Sequence, residues 1–163
     1  MIDFEAIRVV MIDEGITPAL GVPVVLGNQI NKPPPYPFIV ARFHDLTDQP
    51  SGHPATFVRG DTLVRTENVV FTVDFQTEAT DTDVSARLAL SLHDWFRTSS
   101  LLKDRFGISI ARISGIDNRD LQLGEEWEYR HGFEVDFRVR NMIETPLAPL
   151  EAADIKEVDP IGP

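Results

Sequence analysis

The stretch EEWEYRHGFEVDFRVRN, residues 125–141, alternates apolar and charged side chains over more than ten residues. Its apolar positions are Trp127, Tyr129, His131, Phe133, Val135, Phe137 and Val139, and its charged positions are Glu128, Arg130, Glu134, Asp136, Arg138 and Arg140. A period of two places successive side chains on opposite faces of a β-strand. The stretch therefore predicts a long strand with one face in a core. The other face carries mixed charge, which is either solvated or meets complementary charge on a partner.

Other alternating stretches predict strands that pair with this one. Residues 67–78, ENVVFTVDFQTE, show the same alternation, and residues 36–43 and 108–113 show it over shorter lengths. After a polar loop at 45–54, short strands at 56–59 and 63–66 would flank the tripeptide Arg59-Gly60-Asp61. Gly-Asp is a common pair in hairpin turns, so the tripeptide indicates a turn rather than an adhesion motif.

The proline-rich segment NKPPPYP, residues 31–37, leads directly into the strand at 36–43. Proline fixes φ and pushes the preceding residue towards extended geometry, so the segment delivers Phe38 into the sheet in a set direction. Prolines also lack an N–H donor, which suits a segment that crosses a sheet edge or a subunit boundary. A ligand for a proline-binding domain is the alternative interpretation.

Two helices complete the predicted fold. The first covers residues 3–14, with Asp3 as its N-cap and Gly15 as its end, and the second covers residues 81–97, with Asp81 as a candidate cap. Residues 16–37 show no period and are predicted to be irregular. The fold class is α+β, with a mostly antiparallel sheet of about four strands and two helices on one face.

One domain is predicted for residues 1–142, followed by a proline-rich, acidic arm or tail at 143–163. Such a tail is either disordered or lies along a neighbouring subunit. A single domain agrees with the chain length of 163 residues.

Composition excludes several classes of function. A net charge of -11 without a basic block argues against gripping nucleic acid, and the absence of cysteine removes disulfides, thiolate nucleophiles and cysteine-based zinc sites. The acidic N-terminus predicts neither a signal peptide nor a membrane span, so we expect a soluble protein.

No motif in the sequence predicts catalysis or a cofactor. His44, His53, His93 and His131 do not stand at metal-binding spacings, although His44 and His53 flank one loop and would be the ligands of a small metal-dependent enzyme. His131 lies on the apolar face of its strand, which favours a hydrogen-bonded core or interface histidine. No serine belongs to a nucleophile motif, and no glycine-rich phosphate loop is present.

Seven polar residues are candidates for an interface with a partner. They are Tyr36, Arg59, Asp61, Glu128, Arg130, Arg138 and Arg140. Tyr36 stands beside the prolines, the next two flank the turn, and the last four lie on the charged side of the long strand.

Three elements carry a resemblance to a known family: the PPPYPFI entry to the second strand, the NRDL element at 118–121, and the EWEYRHGFEVDFRV strand. In the order and type of its segments over residues 1–142, the chain resembles the tail terminator and neck terminator proteins of tailed bacteriophages. None of the three elements is a catalytic motif.

The resemblance implies a structural virion protein without an enzymatic site. Such a subunit forms a ring, expected to be a hexamer, that caps the tail tube and joins it to the head-side connector and neck proteins. DNA would pass through the lumen without specific binding, since like charge suppresses phosphate contacts. The location would be the neck of a virion assembled in the bacterial cytoplasm, with no membrane partner.

Three alternatives stay open at this point. The first is another head-closure or tail tube component, and the second is the metal-dependent enzyme with His44 and His53. The third is a ligand-binding module that uses the apolar face of the sheet as its pocket.

Overall fold

Most of the described chain lies in one β-sheet and in helices packed on it. The computed structural model describes residues 2–27, 32–44, 46 and 50–147. The strands within these residues are β1 Val24–Leu26, β2 Phe38–His44, β3 Pro50–Arg59, β4 Thr62–Ala79, β5 Ser109–Ile113, β6 Asp117–Asn118, β7 Leu121–Leu123 and β8 Glu126–Pro146. The helices are α1 Phe4–Val9, α2 Thr17–Leu20, α3 Thr82–Thr98 and α4 Leu101–Phe106, with a π-helical segment Val10–Ile16 between the first two.

The centre of the sheet is the antiparallel pair β4 and β8. Thr62 lies opposite Pro146 at one end of the pair, and Ala79 lies opposite Tyr129 at the other. Because β8 occupies one edge of β4 along its whole length, β2 and β3 share the other edge. β5, β6 and β7 pair with the far edge of β8. The long alternating stretch therefore forms the predicted strand, and that strand continues to Pro146.

The predicted sheet of about four mostly antiparallel strands is wrong. The described residues form an eight-stranded sheet, and it is mixed because β1 runs parallel to β2. The strands that the sequence missed include β1, β6 and β7, which have two or three residues each and are too short to show a period. Backbone pairing defines β1 instead, since the N–H of Ile39 donates to the carbonyl of Pro23 at 3.0 Å and that of Gly27 donates to Ala41 at 2.8 Å.

The other predicted strands are present with shifted ends. Residues 36–43 correspond to β2, residues 108–113 to β5, and residues 67–78 lie inside β4. Gly60, with φ of 60°, and Asp61 form the predicted turn between β3 and β4. The predicted loop at 45–54 is wrong for residues 50–54, which belong to β3, and residues 45 and 47–49 lie outside the described part of the chain.

The prediction of two helices is also wrong, although α3 lies within one residue of its predicted bounds and is capped by Asp81 as expected. Asp3 caps α1, accepting from the N–H of Ala6 at 2.9 Å. Gly15 does not end the first helix, which continues through the π-helical segment and α2 to the left-handed Gly21. A Cβ on Gly15 would lie 2.7 Å from Cζ2 of Trp95, so this glycine allows α3 to approach closely.

A cluster of phenylalanine side chains forms the core between the sheet and the helices. Phe71 of β4 stacks on Phe137 of β8 with ring centroids 5.1 Å apart, and Phe75 lies 4.9 Å from Phe96 of α3. Phe71, Phe75, Phe133 and Phe137 are all fully buried. The helices therefore cover the apolar face over the middle of the sheet.

His131 is a hydrogen-bonded, partly buried histidine on the core side of β8. Its Nδ1 lies 3.1 Å from the hydroxyl of Ser85 on α3. The hydroxyl of Thr77 donates to the backbone carbonyl of His131 at 3.1 Å and lies 3.0 Å from the same serine. These contacts attach the start of α3 to the central strands.

The close approach of Trp95 to Gly15 gives the first prediction. We expect Gly15→Val to lower the free energy of unfolding by about 2 kcal/mol, because the added carbons collide with packed aromatic and leucine atoms. Urea denaturation measures this change. Gly115→Val is the matched control, since a Cβ there meets nothing within 4 Å. Equal unfolding midpoints for the two variants would contradict the packing argument.

Candidate functional site

The face of the sheet opposite the phenylalanine core carries a network of ion pairs. Arg112 of β5 donates from Nε to Asp136 of β8 at 2.7 Å, and the hydroxyl of Thr72 donates to the same carboxylate at 2.9 Å. Burial acts to raise the pKa of Asp136, but the hydrogen bonds from Arg112 and Thr72 outweigh it, so the pKa lies below its ordinary value. Much of the mixed charge on β8 is thus paired inside the subunit.

The NRDL element attaches its loop to this network. Arg119 donates to Asp74 of β4 at 2.5 Å, and Asp74 also accepts from Arg42 of β2 at 3.1 Å. The guanidinium of Arg119 lies over Gly132, where a Cβ would come within 2.6 Å of its Nη1. The side chain of Asp120 accepts from the backbone N–H of Arg130 at 2.7 Å. The element therefore holds its loop against the two central strands, β4 and β8.

Three of the predicted interface residues meet at one end of the sheet. We define the Tyr36 cluster as Tyr36, Glu78, Glu128 and Arg130. The phenol of Tyr36 donates to Oε1 of Glu128 at 2.5 Å, and Arg130 donates to Oε2 of the same carboxylate. Arg130 Nε lies 3.9 Å from Glu78 and is buried without a hydrogen bond among the described residues. Glu78 in turn accepts from Gln76 at 2.8 Å.

The two carboxyl groups of the Tyr36 cluster have opposite pKa shifts. Burial raises the pKa of Glu78. Burial acts in the same direction on Glu128, but hydrogen bonds from Tyr36 and Arg130 prevail and lower its pKa. The hydrogen bond to Glu128 raises the pKa of Tyr36 to about 12. The cluster therefore holds a charged Glu128 between a neutral phenol and a guanidinium.

A cleft of about 300 Å³ opens beside the Tyr36 cluster. Leu123 and Trp127 line it together with Tyr36 and Glu128, and their side chains are 55% and 52% exposed. The alternating pattern places Trp127 on the core face. This start of β8 pairs with β7 and lies beyond the helices, so Trp127 is exposed. Exposed aromatic side chains next to buried charge are typical of protein contact surfaces.

Arg59 and Asp61 lie at the end of a three-stranded extension of the sheet. We define the arm as β3, residues 62–68 of β4 and residues 141–146 of β8. Arg59 forms an ion pair with Glu144 of β8, and the carbonyl of Asp61 accepts from the N–H of Leu147 at 2.8 Å. The two candidates therefore hold the end of the arm together.

The arm exposes apolar side chains on both of its faces. Phe57 is 45% exposed on one face, while Val58 and Ile143 are 60% and 46% exposed on the other. Both outer edges of the arm, β3 and residues 141–146 of β8, have no further strand paired with them among the described residues. A sheet extension with exposed apolar side chains and open edges is a surface for strand pairing or packing by another chain.

Arg138 and Arg140 are exposed at the junction of the arm with the rest of the sheet. They line a separate cleft of about 360 Å³ beside the end of α4. Neither has an acidic partner within the described part of the chain. The seven candidates are thus divided among three places, and the Tyr36 cluster is the one that brings together candidates far apart in the sequence.

The histidines do not form a metal site among the residues described here. No group of three His, Asp or Glu side chains in the described ranges is placed to hold a metal ion. His44 lies on β2, His53 is exposed on β3, and the ring of His93 packs edge-on against Phe133 with centroids 5.1 Å apart. None of the described helices is long and apolar enough to cross a membrane.

Comparison with known proteins adds one match. The sequence model of a family described as phage neck terminator protein matches residues 5–162. A search of curated proteins gave no match. The family indicated by the PPPYPFI, NRDL and EWEYRHGFEVDFRV elements is therefore confirmed, and the match extends beyond residue 142, where the resemblance was seen to end.

The Tyr36 cluster gives a prediction for alkaline titration. A pKa that is raised in the folded state means that neutral Tyr36 contributes stability below pH 10, and that this contribution is lost as the pH rises towards 12. We expect the tyrosinate absorbance to show a step near pH 12 that Tyr36→Phe removes and Tyr129→Phe retains. Glu128→Gln should move the step towards pH 10. A titration of the unchanged chain that is complete near pH 10 would contradict the hydrogen bond.

Proposed function

The chain belongs to the phage neck terminator protein family, and we propose that it acts as a ring of identical subunits that caps the completed tail tube. A member of this family is a structural protein of the virion neck and works with other head and tail proteins. In our proposal one side of the ring closes the tube and the other side receives the head-side connector. A hexamer is the ring size that we propose.

The family match carries the proposal, and the arm supports ring formation. Phe57, Val58 and Ile143 expose apolar surface on an extension that lacks a helix partner among the described residues. Burial of apolar surface contributes about 25 cal/mol per Å², so packing the arm against another subunit would stabilise an assembly. A head-to-tail contact of this kind closes into a ring when the rotation between subunits allows it.

The charge of the chain fits a channel for DNA. Each chain has a formal net charge of -11, so a ring of subunits has a strongly negative field. Like charge reduces the adhesion of DNA phosphates to the wall of the channel. We propose that DNA passes through the lumen without specific contacts. Catalysis is not part of the proposal, because the matched family is one of structural neck proteins.

Particles that lack this protein test the proposed role. Electron microscopy should show overlong tails or tails that are not joined to heads, and supplying the protein in trans should restore joined particles. Tails of normal length that remain unjoined would favour the head-closure alternative. Normal, joined particles would overturn the proposal.

Polar variants of the arm should weaken the ring. We expect Val58→Thr combined with Ile143→Thr to shift the protein from closed oligomer to monomer in native mass spectrometry, because the two side chains share one exposed face of the arm. Threonine keeps the β-propensity of these positions, so the strands should still form. Leu90→Thr is the control, since Leu90 is 55% exposed but lies on α3. Unchanged oligomers for the double variant, with the same thermal unfolding, would show that the arm does not form the contact between subunits.

A further inference from the structure

Three cations that pair with none of the described carboxylates lie around the first residue of β5. Lys103 of α4, Arg138 and Arg140 are exposed, and none of them has an ion pair with another described residue. The nearby arginines differ from them, since Arg105 is paired with Glu14 at 2.9 Å and Arg112 with Asp136 at 2.7 Å. In a chain with 15 basic and 26 acidic residues, three unpaired cations in one place indicate an acidic partner.

The same place has a cleft on each side, one apolar and one of mixed polarity. A cleft of about 230 Å³ is lined by Trp95, Leu102, Ile108 and Ile110 with Lys103 at its border, and the cleft of Arg138 and Arg140 includes Phe106. The two clefts share Ser109 in their linings. We define the β5 groove as Lys103, Phe106, Ser109, Ile110, Arg138 and Arg140. Its chemistry suits an extended segment that carries both carboxylates and aliphatic side chains.

One segment of the chain itself has this composition. Residues 148–163 contain four acidic residues, one lysine and several aliphatic residues. The acidic residues are Glu151, Asp154, Glu157 and Asp159, and the larger aliphatic residues are Leu150, Ile155, Val158 and Ile161. The segment is therefore complementary in charge and polarity to the β5 groove.

We propose that residues 148–163 of one subunit bind the β5 groove of the neighbouring subunit. The proposal rests on the ring of the proposed function. Carboxylates of the segment pair with Lys103, Arg138 and Arg140, and its aliphatic side chains enter the clefts on either side of Ser109. Each subunit then gives its C-terminal segment to one neighbour and receives that of the other.

The position where the described chain ends favours a neighbour over the same subunit. Leu147 is bonded to Asp61 at the end of the arm, whereas Arg140 lies opposite Asn68 at its base. Six residues of strand separate the two positions, which is roughly 20 Å. The 16 residues of the segment span up to roughly 50 Å, so they reach well past the arm. To enter its own groove the segment would have to reverse direction and run back along the whole length of the arm.

Engineered cysteines test this contact, because the chain contains no cysteine of its own. Two full-length proteins, Ser109→Cys and Ile155→Cys, are mixed and oxidised, with an affinity tag on one of them to identify the mixed dimer. We expect the mixed disulfide in roughly tenfold higher yield than for Arg87→Cys with Ile155→Cys, because docking raises the effective concentration of the two thiols. Arg87 is exposed on α3 and does not line the groove.

Charge reversal tests the ion pairs of the contact. Arg138→Glu with Arg140→Glu should lower the yield of the mixed disulfide to that of the Arg87→Cys control. Glu157→Arg with Asp159→Arg in the partner chain should restore it. Arg87→Glu with Arg97→Glu, which changes the net charge equally outside the groove, should leave the yield unchanged. Equal effects of the two reversals would overturn the assignment of the groove.

Native mass spectrometry of the same samples separates the two levels of the proposal. A closed oligomer without the mixed disulfide overturns the binding of residues 148–163 to the β5 groove and leaves the ring intact. A monomer at all concentrations overturns the ring, and with it the exchange of residues 148–163 between neighbours. A chain carrying both cysteines that forms only an internal disulfide shows docking within one subunit and overturns the exchange between neighbours.

Discussion

The pairing of β4 with β8 is the constraint on which the rest of the structure depends. Eighteen pairs of residues hold the two strands in register, and one face of this ladder carries the four buried phenylalanines. A shift of one residue would turn that face towards solvent, at about 1.5–3 kcal/mol for each large apolar side chain exposed. The same register sets Glu78 opposite Arg130 and Thr72 opposite Asp136 on the other face. Core packing therefore determines the polar network.

The parts of the fold that follow from local pattern were predictable from the sequence. Alternation identified the central strands and their buried face, and the side chains of Asp3 and Asp81 marked helix starts that the structure has. The short strands and the π-helical segment were not predictable in this way. Their positions depend on partners distant in sequence, such as Trp95 for Gly15. Local periodicity carries no information about such partners.

The candidate site shows the same division. Sequence position was enough to select Tyr36, Glu128 and Arg130 one by one, but not to show that they meet, since Tyr36 and Glu128 are 92 residues apart. Alternation assigns Trp127 to the core only if the helices cover the strand equally along its whole length. The helices cover only the middle of β8, so its two ends carry exposed apolar residues. The exposure of residues at the ends of β8 depends on the length of the strand relative to the helices, which alternation does not show.

The hydrogen bonds of the arm also have a mechanical consequence. A subunit held by its β3 strand is joined to its own core through the backbone hydrogen bonds between β3 and β4, and these bonds lie perpendicular to the strand axis. A pull along the arm thus loads these bonds together in shear, rather than opening them one after another. An assembly connected in this way would resist stretching along the arm more strongly than peeling across it.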